Sequence, residues 1–249
     1  MKAKVLTLAA VALVAGAGTT HATSTPQALP YSQNWSNIAA INTNDDWSGV
    51  PGVMGYRGDD AVAGTNVDPQ TILIDYNGLL DVNINQTAPN TFSTGGVAEF
   101  EITDPVVALT GSGTADFPHI IFFVNTTGLQ SITFAANLRD IDGSADNAVQ
   151  QIAVQYRVGN AGAWANVPSG YVADASSGPS LATLVTPLNL VLPAAANNVP
   201  EVQIRVMTTN AGGNDEWIGI DDVSITGTNL PVATESTTWS AIKSTPSGN

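Results

Sequence analysis

Glu201-Val-Gln-Ile-Arg-Val206 sets an apolar residue at every second position and a polar one between. Side chains alternate across a strand, so this period of two predicts a strand with one face on a core and the other toward water. Gln151-Ile-Ala-Val-Gln-Tyr-Arg-Val158 repeats the pattern, and similar segments are Thr71–Tyr76, Leu80–Asn85, Val97–Ile102, Val106–Leu109, His119–Val124, Ser131–Leu138, Thr183–Leu192 and Trp217–Thr226. Turn residues part them at Gly111-Ser-Gly113, Asn125-Thr-Thr-Gly128, Gly159-Asn-Ala-Gly162, Ser176-Ser-Gly-Pro179 and Asn210-Ala-Gly-Gly213. No stretch after Ala22 keeps a helical period, and 23 Gly and 14 Pro interrupt the chain too often for long helices. The expected class is all-β, a two-sheet antiparallel β-sandwich of jelly-roll type; spacing alone leaves a closed barrel as the alternative.

The N-terminus reads differently. Met1-Lys-Ala-Lys4, the apolar run Val5 to Ala15 and the small-residue stretch Gly16 to Ala22 have the order of a secretory signal peptide, too short to span a bilayer permanently. The expected division is a signal peptide over 1–22, one sandwich domain over 23–227 and a flexible Thr/Ser/Pro-rich tail over 228–249, in a secreted, bacterial, extracellular protein. Cleavage would remove two of the seven Lys and Arg and leave five against 21 acidic residues, a formal charge of −16 in place of −14. Such a field disfavours direct binding to nucleic acid or anionic lipid and favours divalent cations. Cysteine is absent, so disulfides are excluded as the staple of a secreted fold.

Asn214-Asp-Glu-Trp-Ile-Gly-Ile-Asp-Asp-Val-Ser-Ile-Thr226 sets two acidic pairs in a β-branched strand. Alternation turns one of Asp221 and Asp222 inward whichever face Val223 and Ile225 occupy. A buried unpaired carboxylate costs several kcal/mol, so a structural Ca²⁺ is the favoured partner, with an ion pair to Arg139 or Arg205 as the alternative. Asp140-Ile-Asp142-Gly-Ser-Ala-Asp146-Asn147 is a second candidate Ca²⁺ loop, with Asp140, Asp142 and Asp146 as ligands. It is not an EF-hand: Gly143 falls two places too early and no Glu holds the twelfth position. Solvated turn carboxylates are the competing reading there, and the stronger one for Asp45-Asp46.

Gly219-Ile-Asp-Asp-Val-Ser-Ile225 resembles the closing strand of MAM-type and carbohydrate-binding-module-like jelly rolls. That resemblance implies a structural cation between this strand and an N-terminal segment, here Leu29-Pro-Tyr-Ser-Gln-Asn-Trp35, where Gln33 and Asn34 replace the usual acidic residue. A longer likeness runs through Leu29–Trp35, Asp46-Trp-Ser-Gly-Val-Pro-Gly52, Gly55-Tyr-Arg-Gly-Asp59, Gly95-Gly-Val-Ala-Glu-Phe-Glu101, Leu138-Arg-Asp-Ile-Asp-Gly143 and Asn214–Val223. It resembles the N-terminal sandwich that precedes the nuclease domain in some bacterial extracellular endonuclease/exonuclease/phosphatase-family proteins. The likeness transfers no catalytic residue, and the nuclease domain lies outside this sequence.

Catalysis is not expected. His119 is the only histidine outside the signal peptide, so paired-histidine chemistry is excluded, and neither a nucleophile elbow nor a phosphate loop occurs. His119 is expected at a strand edge. Glu99 and Glu101, about 7 Å apart on one strand face, read as the solvent side of a half-buried strand with Phe100 on the core side, rather than as a glycosidase pair. Trp47, Tyr56 and Trp164 fall in or beside turns and are the candidate ligand-binding rings, a stacking platform for a polysaccharide or cell-surface polymer; end caps of the core are the alternative. The expected function is a secreted non-catalytic Ca²⁺-stabilised recognition or attachment module. The alternatives are an accessory domain of a separate extracellular nuclease or hydrolase and a purely structural matrix protein.

Overall fold

The computed structural model describes residues 24–231 except 63, 77 and 147. The expected signal peptide, Asn147 and residues 232–249 of the expected tail lie outside the described residues; the start of that tail is corrected, since Thr228 and Asn229 belong to the last strand. Thirteen strands form two sheets: β1 (Gln27–Ala28), β2 (Tyr31–Gln33), β3 (Val53–Tyr56), β4 (Asn83–Gln86), β5 (Gly96–Phe100), β6 (Val106–Thr110), β7 (His119–Asn125), β8 (Leu129–Asp140), β9 (Ile152–Val158), β10 (Ala165–Val172), β11 (Val185–Val191), β12 (Val202–Met207) and β13 (Ile218–Asn229). Three 3₁₀ turns, Pro69–Thr71, Pro89–Thr91 and Ala194–Ala196, are the helical elements among the described residues.

One sheet runs β1-β7-β12-β9-β10, with β3 beside β1 on the same flank of β7; the other runs β11-β8-β13-β6-β5-β4, with β2 also on β13. The sandwich expectation holds, with one amendment. Both sheets are mixed rather than purely antiparallel, because β1 runs parallel to β7 and β4 parallel to β5. The core between the sheets takes Val202, Ile204 and Val206 from β12, Ile120 and Phe122 from β7, Ile132 and Phe134 from β8, and Ile218, Ile220 and Ile225 from β13. Phe122 and Phe134 meet across the layers at 5.9 Å between ring centroids.

The second face of β12 departs from the expected pattern. Gln203 and Arg205 point away from that core, yet they are 2% and 0% exposed. A covering segment, the described residues of 57–80, crosses the outside of the six-stranded sheet and seals Arg205, while Gln203 is bonded to Arg157 and Glu201. Arg205 donates to the carbonyls of Ile72 (2.7 Å) and Ile74 (3.3 Å), and Gln155 donates to Pro69 O (3.2 Å). Buried polar groups are tolerated when bonded in this way. Thr71–Tyr76, expected as a strand, is part of this cover and pairs with no strand; its carbonyls serve a guanidinium instead of a ladder.

His119 is likewise not at an edge. It lies on β7 between β3 and β12, wholly buried, its ring 5.3 Å from that of Phe117 and 5.2 Å from that of Tyr56. Burial, then Arg205, holds its pKa well below the ordinary histidine value, so it is neutral. Glu99 is also buried rather than solvent-facing: β4 covers it, and Asn85 N donates to its carboxylate at 3.3 Å.

Candidate functional site

The cover leaves part of the outer sheet face open as a groove of about 200 Å³. Strand β3 supplies Met54 and Tyr56, β7 supplies Ile121 and Phe123, and the cover supplies Tyr76. Arg157 of β9, Asn160 of the β9–β10 turn, Glu201, and Gln203 of β12 complete the lining with Ser24. Tyr56 and Tyr76 meet edge to face at 6.3 Å. The polar side is one hydrogen-bonded string: Arg157 donates to Asp75 (2.6 Å) and Gln203 (2.9 Å), and Gln203 donates to Glu201 (2.6 Å). Rings and planar polar groups lining one groove suit a sugar, which offers apolar C–H faces and hydroxyls together.

The structure brings two of the three sequence-selected rings together here and separates the third. Tyr56 and Trp164 share a small apolar cluster with Ile121 and Phe123 outside the main core. Trp164 is 3% exposed, with two guanidiniums over its indole, Arg157 at 4.6 Å and Arg205 at 4.4 Å from the ring centroid. Burial and the neighbouring Arg157 lower the Arg205 pKa to about 9, and the ring's π face offsets part of that repulsion. Trp47 is 0% exposed, packs edge to face on Trp35 at 6.5 Å and donates to Asp81 O at 3.2 Å. The expected exposed platform of Trp47, Tyr56 and Trp164 is therefore corrected. Trp47 and Trp164 are packing residues, and Tyr56, 8% exposed, is the one that reaches a groove wall. Tyr76, Phe123 and Gln203 were not singled out, because nothing local marks residues that a remote cover assembles.

The acidic candidates split too. A bulge between Asp221 and Ser224 interrupts the β13–β8 pairing, with Asp222 at φ 49°. Two residues rather than one separate the inward-facing Ile220 and Val223, which resolves the conflict between alternation and the Asp pair. Asp221 is buried against Arg139 at 2.5 Å and accepts Asp222 N at 2.7 Å; Asp222 is exposed and accepts from Asn137 at 2.9 Å. The ion-pair alternative thus meets the need that had favoured a metal at Asp221. The likeness to jelly rolls with a cation at this junction also fits poorly, since Asp221 already has its cation.

Asp142 and Asp146 instead line a cleft of about 350 Å³ at one end of the seven-stranded sheet, with Asn90, Phe92, Thr110, Ser112, Asp215 and Trp217. Asp140 sits deeper, accepting from Asp142 N (3.0 Å) and Ser177 N (2.5 Å). Glu216, absent from the sequence-derived set, is 2% exposed; its contact from Ala148 N is long, 3.4 Å. Burial above all, and then Asp142, Asp140 and Asp146, push its pKa up to about 7. Its position after Asp215 in an acidic pair was the available signal. Among the described residues, no three His, Cys, Asp or Glu side chains stand already gathered as metal ligands.

No family model matches this chain, and no curated protein matches it. Solved structures do. The K2 cleaved adhesin domain of Lys-gingipain aligns with a TM-score of 0.41 at 13% identity, over 80% of this chain and 98% of that one. A carbohydrate-binding module specific for non-crystalline cellulose aligns at 0.37 and 12%, over 57% and 86%. A second module, solved with β-1,4-galactotriose, aligns at 0.33 and 12%, over 51% and 74%. The neighbours are β-sandwich domains, and at these scores the likeness carries no inference about what this chain binds.

Proposed function

We propose that the protein is a non-catalytic glycan-binding module that works outside the cell and takes a neutral polysaccharide in the groove on its six-stranded sheet. The observation that carries the reading is the groove itself, lined by Tyr56, Tyr76 and Phe123 together with the Arg157–Gln203–Glu201 string. Arg157 is committed to Asp75, Gln203 and the Gly162 carbonyl, and Glu201 adds negative charge, so the lining favours a neutral chain over a uronate. The neutral, sealed His119 offers no accessible base. The resemblance to the sandwich of extracellular nuclease-family proteins extends the proposal: such a module would hold a separate enzyme on a polymer.

Binding of neutral soluble polysaccharides to the full chain, read by calorimetry and by retardation in polysaccharide gels, tests it. Asn160→Ala and Glu201→Gln alter groove-lining side chains outside the core, the second keeping an acceptor for Gln203, so each is expected to weaken binding by roughly 3- to 10-fold with the melting curve unchanged. Retention that neither variant weakens would place the glycan elsewhere. No binding to any neutral polysaccharide would end the proposal.

A further inference from the structure

We propose that Arg157 determines the specificity of the groove by donating the N–H groups of Nη2 to hydroxyl oxygens of a neutral sugar, so that the groove selects chains whose hydroxyls are unsubstituted. This role rests on the glycan reading and adds to it the group that reads the sugar.

A guanidinium carries five N–H groups in one plane. In Arg157 three of them are engaged within the protein: Nε donates to Gln203 (2.9 Å), and Nη1 donates to Asp75 (2.6 Å) and to the Gly162 carbonyl (3.3 Å). Those on Nη2 meet no acceptor among the described residues. Nor is that nitrogen sealed, since the arginine nitrogen buried without a partner among the described residues is Nε of Arg57. Arg157 lines the groove, so the unengaged corner of its guanidinium is what the groove offers a ligand.

The donor is also held in place. Arg157 is 9% exposed, and its guanidinium carbon lies 4.6 Å from the ring centroid of Trp164. Bonds to three acceptors and one ring face fix its rotamer in advance, so little conformational entropy remains to be lost when a ligand binds. Trp164 is in this sense a positioning residue for the groove.

Charge decides which acceptor suits it. Asp75 neutralises the guanidinium, and Glu201, bonded by Gln203 at 2.6 Å, brings a further negative charge to the same lining. A carboxylate meets repulsion there that a hydroxyl does not. A sugar also offers several hydroxyls, which accept from Nη2 and donate to the Glu201 carboxylate. Capping them as methyl ethers removes the donated bonds and crowds the accepting oxygens, which leaves a charged donor desolvated without a partner.

Pairing a change in the protein with a change in the sugar tests the role. A neutral polysaccharide that the full chain retains, chosen from β-glucan, galactan and arabinoxylan, is compared with its partly O-methylated form by calorimetry and gel retardation. The comparison is made for the unmodified protein and for Arg157→Lys, which keeps the charge opposite Asp75 but has a single nitrogen. Methylation should weaken binding to the unmodified protein by about tenfold or more. Arg157→Lys should bind the native polymer about tenfold more weakly and be nearly indifferent to methylation. An Arg157 that merely supports the fold would weaken both polymers by one factor and leave the methylation ratio unchanged, which would overturn the assignment. Should Arg157→Lys fail to fold, Asp75→Asn carries the test, because Asp75 is 41% exposed and the variant keeps an acceptor while removing the charge. Nη2 should then take a carboxylate, and retention by polygalacturonate should rise severalfold over the unmodified protein; unchanged selectivity would again overturn the assignment. If the unmodified chain is retained by no neutral polysaccharide, the glycan reading fails and this role with it. Retention that is equal for the unmodified protein and Arg157→Lys sinks the role of Arg157 alone.

Discussion

Asp81 shows at the scale of one residue how burial writes pH dependence into this fold. Its carboxylate is 7% exposed and accepts Val97 N at 2.7 Å. Burial raises its pKa from 3.8 to about 6; the Val97 bond opposes the shift, Asp45 and Asp59 add to it, and Arg57 reduces it. The folded state therefore holds a proton that the unfolded chain releases. That contribution is fully present below the unfolded pKa of about 4 and is lost as the pH rises through about 6, up to about 3 kcal/mol in all. Asp81→Asn keeps an acceptor for Val97 N and removes the titration. The stability of this variant relative to the unmodified protein should consequently grow between pH 4.5 and pH 7.5 in urea denaturation. A difference that stays constant across that range would mean that Asp81 is ionised in the fold throughout.

Strands were the most legible elements, because their cause is local. The alternation in Glu201–Val206 and Ser131–Leu138 is a direct record of a face laid on a core, and both stretches are strands within a residue or two of their expected ends. Strands whose alternation is broken were missed. β10 carries Pro168, Gly170 and a bulge between Asn166 and Tyr171, and β2 is three residues long. The cover over 57–80 was illegible for a deeper reason: its stability comes from side chains of β9 and β12 far away in sequence. The candidate site inherits that limit. Single rings such as Tyr56 and single acids such as Asp142 could be picked out, whereas the groove and the cleft exist only where remote loops meet. Strand β3 is limited from its core side, where Trp47 and the Asp81 carbonyl press on it. A Cβ on Gly55 would stand 2.5 Å from the Trp47 ring and 2.9 Å from Asp81 O. Neither neighbour is at a free end, since Trp47 is wholly buried and the other is backbone. Gly55→Ala should therefore cost about 1–3 kcal/mol in denaturant unfolding, the range of overpacked cores. A loss under about 0.5 kcal/mol would show that β3 shifts freely against Trp47 and Asp81.

For the molecule as a whole, charge sets the balance between attraction and self-repulsion. The chain carries 21 acidic residues against seven Lys and Arg, and its ion pairs among the described residues use three arginines. Exposed pairs contribute about 0–1 kcal/mol each, and of the four contacts Arg139–Asp221 is the one with both partners largely buried. Screening weakens such pairs, but it also weakens repulsion among the many unpaired carboxylates, which act over longer distances and in greater number. Raising NaCl from about 0.02 M to about 0.5 M shortens the screening length from roughly 20 Å to about 4 Å. Repulsion spread over the surface should then fall more than attraction at three arginines does. The melting temperature, measured in EDTA so that no divalent ion contributes, should consequently rise by several degrees. A fall with salt would mean that the ion pairs dominate, and the surplus negative charge would then have no measurable cost to the fold.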